Sequence, residues 1–255
     1  MKKLFFPLAS ALLVVPVVCL AAEAGLPPLR DAVAEYTRQV TLPAPARCNA
    51  AEKLVLPLAF SDDARPQTTF DAATSRLHIF YDMQFNDLTE GWNWHPEEVA
   101  EGRDYYTYKY LALGSTHESR GSYPANDLTG THQEYPVQWR YDYFFAFDNP
   151  YAFYPRKTDD ATGFDVTIEV SAADAERLAG GDLRMALRGH LRADCLSDST
   201  TFWKATPSQP RDFTLKKRYL IGTLDEVLFY DQAAKKVLAR VVAHPASTDY
   251  VKMKL

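Results

Sequence analysis

Residues 137 to 147, VQWRYDYFFAF, place Val137, Trp139, Tyr141, Tyr143, Phe145 and Phe147 on every second position. A period of two puts alternate side chains on one side of a strand, so the segment reads as a strand with an aromatic wall. The intervening set begins Gln138, Arg140, Asp142 and turns apolar at Phe144 and Ala146. That change predicts a strand whose far half is buried on both sides and central in its sheet. Only Trp139 and Tyr141 remain candidates for touching a ligand.

The same alternation recurs along the chain. In KLVLPLAF, 53 to 60, Leu54, Leu56, Leu58 and Phe60 share one set, and Pro57 on the other predicts an edge or a bulge. Residues 69 to 82 read as strand, turn, strand, and residues 228 to 241 repeat that grammar: an aromatic residue, an Asp, small or polar residues, then an apolar strand. Phe164, Val166, Ile168 and Val170 alternate with polar residues, and Leu183, Met185, Leu187, Leu191 and Cys195 share one face of 182 to 195. Between these two strands, Ser171 as N-cap, Asp174 near the positive end and Gly180-Gly181 as the stop predict a helical turn or two. Leu29, Val33, Tyr36 and Val40, spaced by three and four, predict a short amphipathic helix over 28 to 39.

Strands over 104 to 113 and 137 to 147 leave 114 to 136 as a long loop, and loops of that length are usually functional or mobile. The proline-containing stretch 204 to 212 is no domain boundary, because too little chain follows it. The expected fold is mainly β, an antiparallel β-sandwich or open barrel with a few short helices, forming one domain over 25 to 255.

The amino terminus changes the setting of this domain. Lys2 and Lys3, an apolar run from Leu4 to Val18 and small residues at Ala21, Ala22 and Ala24 have the layout of a secretory signal peptide over 1 to 22, with cleavage after Ala22 or Ala24. Cys19 raises lipid anchoring, but lipoprotein processing wants a small residue before the cysteine and Val18 stands there. The expected location is periplasmic or secreted, with no membrane span after signal removal. Without the signal, Cys48 and Cys195 are the two remaining cysteines, and an oxidising compartment predicts a disulfide between them. The full chain has 28 basic and 33 acidic residues, which argues against nucleic acid and anionic membrane as overall partners.

Candidate chemistry is sparse. GWNWHPEEVAEG, 91 to 102, gathers Trp92, Trp94, His95, Glu97 and Glu98. Two tryptophans with polar neighbours suit stacking on a sugar, and His95 with a glutamate suits acid–base work or a metal. Equally, Pro96, Glu97 and Glu98 make a good first helical turn. His95, His117 and His132 form a metal site only if the fold makes them converge, since their spacing is not that of a zinc motif. Arg184, Arg188, His190 and Arg192 line one face of their strand. They read as an anion receptor, or as an outer face paired across strands with carboxylates such as Asp165 and Glu169. Asp62, Asp63, Asp159 and Asp160 lack a calcium-loop pattern. No nucleophile elbow, Ser-x-x-Lys element, phosphate loop or dinucleotide fingerprint is present, so neither a catalytic residue nor a cofactor is expected.

Gly121, Ser122, Tyr123 and Asn126 of GSYPANDLTG, the following aromatic strand, the Ser-Ala-Ala-Asp-Ala-Glu segment and YDQAAKKVLAR resemble a bacterial family of exported proteins of unknown function that carries a Gly-Ser-Tyr-x-x-Asn element. DLTG departs from that family's continuation at Gly130. The resemblance spans about residues 105 to 241 and implies no activity. The expected function is a non-catalytic binding or interaction domain of the bacterial envelope whose partner is another protein or an envelope component. Trp92, Trp94, His95, Tyr123, Asn126 and Trp139 are its candidate contacts. The alternatives are a carbohydrate-binding module using exposed Trp and Tyr, and a metal-dependent or acid–base hydrolase around His95.

Overall fold

The structure, a computed structural model, describes residues 25–60, 65–82, 109–126, 130–149, 152–153 and 163–244. The segment expected to be a signal peptide, the 91 to 102 stretch with Trp92, Trp94 and His95, the aspartate pairs 62–63 and 159–160, and the first part of the strand expected over 104 to 113 lie outside the described residues.

The elements are α1 (Ala32–Thr41), β1 (Lys53–Pro57), β2 (Gln67–Asp71), β3 (Arg76–Asp82), β4 (Lys109–Asn126), β5 (His132–Phe147), β6 (Gly163–Glu169), α2 (Ala172–Arg177), β7 (Leu183–Trp203), β8 (Asp212–Asp231) and β9 (Lys236–Val242). They make two sheets, β1-β7-β8-β5-β4 with β9 also paired to β8, and β2-β3-β6. The fold is therefore mainly β and sandwich-like, and among the described residues no barrel closes. A single bond from Ala59 N–H to the Ala112 carbonyl links the segment after β1 to β4 at the far edge of the larger sheet.

One pairing departs from the all-antiparallel expectation. β8 pairs antiparallel with β7 along its length, but on its other side it meets β5 in parallel over Asp212–Gly222 and then β9 antiparallel over Glu226–Asp231. A 20-residue strand is long enough to serve two neighbours end to end.

The core lies between the sheets. Leu77, Ile79, Phe164, Val166 and Ile168 of the smaller sheet pack on Leu54, Leu56, Phe145, Phe147, Met185, Leu187, Val227 and Phe229 of the larger. The Phe145 ring stands over two glycines: a Cβ on Gly189 would lie 3.2 Å from its ring edge, and one on Gly222 would lie 2.9 Å away. Phe145, Ala146 and Phe147 are all fully buried, so the far half of β5 is central, as its alternation predicts.

Both hairpins that share a sequence grammar share a device. The Asp71 carboxylate accepts from Ala73 N–H and Thr74 Oγ1 at 2.9 and 2.6 Å, and Ser75 takes the left-handed conformation (φ 53°). In the β8–β9 turn Asp231 accepts from Ala234 N–H at 2.9 Å and Lys235 is left-handed (φ 50°). Ser171 caps α2 by accepting from Asp174 N–H at 3.1 Å, and the chain leaves that helix through Gly181 at φ 131°.

The first helix starts later than its periodicity suggests. Asp31 is the N-cap, accepting from Ala34 N–H at 2.8 Å, while Arg30 N–H is bonded to the Val55 carbonyl. Leu26 and Leu29 precede the helix and cover Val55, Ala186, Leu228, Tyr230 and Val237 on the outer face of the larger sheet. Val33 and Tyr36 pack on the main core, but Val40 is exposed. The apolar spacing mixed residues that serve two different faces.

Cys48 and Cys195 are joined, with an S–S distance of 2.03 Å and Cα atoms 5.4 Å apart. The bond meets β7 where its pairing with β8 slips, between Leu191 and Leu196. Cys48 N–H donates to Gln39 Oε1 at 2.8 Å, and Gln39 Nε2 donates to Glu35 at 2.7 Å, so the crosslink also anchors α1.

Candidate functional site

The stretch expected to be a loop over 114 to 136 is strand up to Asn126 and again from His132. Its pattern misleads for two reasons. Register shifts at 112/114 and 119/122, the second at Gly121 (φ 88°), break the period of two. Many of its side chains also reach solvent, so no continuous apolar set marks a strand. With the distal parts of β7 and β8, these strands form a four-stranded arm that runs beyond the sandwich core.

Register defines the two faces of the arm. Tyr123, Tyr135, Trp139 and Tyr141 share the inner face with Asp212, Thr214, Lys216 and Arg218 of β8 and with Asp198, Thr200 and Phe202 of β7. The Trp139 ring is held by cations from both neighbouring strands, with Lys216 Nζ at 3.8 Å and the Arg120 guanidinium at 4.2 Å from its centroid. Arg120 also pairs with Glu118 at 2.9 Å, and Glu118 accepts from the Tyr141 hydroxyl at 3.2 Å. Arg218 pairs with Asp198 at 3.0 Å and lies 5.8 Å from the Tyr36 and Tyr141 rings. Tyr123 packs on Tyr135 and donates to Asp212 at 3.1 Å. Burial pushes the Tyr123 phenol up from its ordinary range, and the Asp212 carboxylate adds to the shift. On the inner face these cations are engaged by rings or carboxylates, while Phe202 at its end is 55% exposed.

The outer face differs. Trp203 and Phe213 are register partners with ring centroids 5.6 Å apart, and the Arg211 guanidinium lies 5.6 Å from the Phe213 centroid. Trp203 is 46% exposed. Gln138, Thr201, Ser199 and Lys217 continue this face toward the core. Lys217 stands opposite Asp142, whose carboxylate is bonded to Arg140 at 2.7 Å, and Lys217 itself has no ion pair among the described residues.

Of the residues singled out from sequence, the fold brings Tyr123 and Trp139 onto one face and puts Asn126 at the arm's end opposite His132. His117 and His132 do not converge. His117 sits nine positions along β4 from the pair that holds His132, a separation of roughly 30 Å. Three members of the basic row of β7 are paired, but not with the carboxylates expected, while Arg184 donates to the Leu183 carbonyl. Arg188 meets Glu226 at 2.7 Å, His190 meets Asp225 at 3.3 Å and Arg192 meets Asp194 at 3.0 Å. Asp165 is taken by His78 at 2.6 Å and Glu169 by Arg76 at 3.6 Å, both in the smaller sheet. Lys216, Arg120, Trp203, Phe213 and Lys217 escaped the sequence reading; for all but Arg120, the signal that could have found them is the density of Lys and Arg beside Phe and Trp on either side of the proline-containing stretch 204 to 212.

An open depression elsewhere is lined by Arg30, Glu35, Arg38 and Glu52. Its charges close on one another: Arg38 bridges Glu35 and Glu52 at 2.6 and 2.8 Å, and Arg30 binds Glu52 at 2.5 Å. Among the described residues no cluster of His, Cys, Asp and Glu could hold a metal ion, and no helix is long and apolar enough to cross a membrane. No family model, no curated protein and no solved structure matches the chain.

Proposed function

We propose that the chain is an exported, non-catalytic binding domain of the bacterial envelope, periplasmic or secreted, and that it meets its partner through the arm of β4, β5, β7 and β8. The observation that carries this reading is the outer face of the arm, which presents an exposed Trp203 and, further along the same face, a lysine with no ion pair among the described residues. The inner face also has an exposed ring, Phe202, but its cations are engaged by rings or carboxylates. The leader pattern and the Cys48–Cys195 bond fit an oxidising compartment, and the resemblance to exported proteins of unknown function agrees with that setting.

The sugar-binding alternative gains a further position. Trp92 and Trp94 lie outside the described residues, and among those described Trp139 has cations against its ring while Trp203 is open to stack on a ligand.

The test is retention of envelope extracts on immobilised mature chain, compared with a Trp203→Ser/Lys217→Glu variant of equal melting temperature. A component held by the parent and released by the variant is the expected result. Equal recovery by both would move the contact off the arm, and no retained component would end the binding reading.

A further inference from the structure

We infer that the outer face of the arm takes an acidic polysaccharide, with sugar rings laid on Trp203 and Phe213 and the acid groups held by Lys217 and Arg211. This rests on the reading of the arm as the binding surface and names its ligand class.

Shape comes first. The face is one side of a four-stranded sheet with Trp203 open to solvent, whereas small ligands are held in clefts that bury most of their surface. An open sheet face suits an extended polymer that gains affinity over several units. Phe213 and Lys217 are four residues apart on one strand, about 13 Å, so a ligand using both ends must be longer than a single sugar.

Chemistry comes second. The paired rings of Trp203 and Phe213, with centroids 5.6 Å apart, offer a platform. Aromatic faces are electron-rich and attract the weakly positive C–H faces of pyranose rings. Beyond the platform, Gln138, Thr201 and Arg140 supply polar groups around one aliphatic side chain, Leu215. A protein interface of stable size has an apolar centre, and two rings with one leucine do not make one.

Charge comes third. The hairpin from Ser197 to Arg218 holds five basic and two acidic residues, in a chain whose net charge is −5. A polyanion is therefore steered to this hairpin and repelled by the molecule as a whole. Guanidinium and ammonium groups then hold carboxylate or sulfate oxygens through charge-assisted hydrogen bonds. The inner face is less suited to this, since Lys216 and Arg120 lie 3.8 and 4.2 Å from a ring centroid and Arg218 is paired with Asp198, whereas Arg211 stands 5.6 Å from its ring and Lys217 has no ion pair among the described residues.

Titration calorimetry of the mature chain with polygalacturonate, dextran sulfate and neutral dextran tests the inference. The expected result is binding of the two acidic polymers, weakened by salt, and none of dextran. Trp203→Ala and Lys217→Gln each weaken it roughly tenfold or more, while Phe202→Ala, on the opposite face, leaves it unchanged. Equal melting temperatures of all variants confirm the fold. Failure of both acidic polymers, equal binding of dextran, or a loss in Phe202→Ala matching that in Trp203→Ala would each overturn it. If envelope capture through the arm persists while both acidic polymers fail, only the ligand class falls. If capture fails too, both readings fall.

Discussion

Lys216 Nζ lies 3.8 Å from the centre of the Trp139 ring, and the Arg120 guanidinium approaches the same ring from β4. Around Trp139 the arm buries only Tyr135 and the polar Thr214 among its described residues, so such contacts, with sheet hydrogen bonds, hold its strands together. Replacing Lys216 by Ala is expected to lower stability by about 1 kcal/mol, the scale of a partly desolvated cation over an indole. Urea denaturation of the two proteins measures it, and an unchanged midpoint would show that the contact contributes nothing.

The disulfide spans 147 positions, and closing so long a loop restricts the unfolded chain. Reduction is expected to cost about 5 kcal/mol in the chain-entropy picture. Denaturation with and without reductant gives the difference, and the unreduced mature protein should be two hydrogens lighter than the reduced one. Labelling of both cysteines in the native, unreduced protein would contradict the bond.

Gly222 is the closest approach between strands under the core aromatic. A Cβ there would collide with the His190 carbonyl and meet the Phe145 ring at 2.9 Å. Since backbone cannot yield as a flexible side chain does, Gly222→Ala is expected to destabilise by about 1 to 3 kcal/mol. Phe145→Leu in the same background should recover part of the loss if the ring is the obstacle; no recovery would assign the cost to the His190 carbonyl.

Acid should loosen the α1 network and the β8–β9 turn together. Burial alone would raise the Glu35 carboxyl, but hydrogen bonds from Arg38 and Gln39 outweigh it and hold it below its ordinary range. The bond from Arg30 lowers Glu52, and that from Arg177 lowers Asp231. A carboxylate depressed in the fold adds stability that is present above its unfolded pKa, about 4, and is lost as pH falls through the folded value. The melting temperature should therefore hold near neutrality and fall below about pH 4. Glu52→Gln should flatten that fall, and a melting curve against pH identical to the parent's would remove Glu52 from the explanation.

Glu226 is buried between Arg188 and Arg240, at 2.7 and 3.2 Å. Removing the carboxylate leaves two guanidinium groups facing each other, so Glu226→Ala is expected to cost about 1 to 3 kcal/mol. Glu226→Ala/Arg188→Met should be less damaged than the single variant, because one of the two unpaired charges and the repulsion between them are gone; equal loss would point to packing instead.

Pattern alone determined a good deal of this protein. The buried faces of β6 and the first half of β7, the edge position of β1 with Pro57, the Ser171 cap, both Asp turns, and the Cys48–Cys195 pairing all follow from local rules, because burial on one side of a strand leaves a period of two and caps answer their own backbone. Only the tertiary structure decided that β8 meets β5 in parallel and then β9, that Leu29 covers the outer sheet face rather than joining α1, that 114 to 136 is a hairpin arm, and that Trp203 rests on Phe213. Alternation names the faces of a strand but not its neighbour, and a face turned to solvent carries no apolar signature. The pairs that make the candidate site are therefore set by which strands lie side by side, a choice made by packing between segments far apart in the chain.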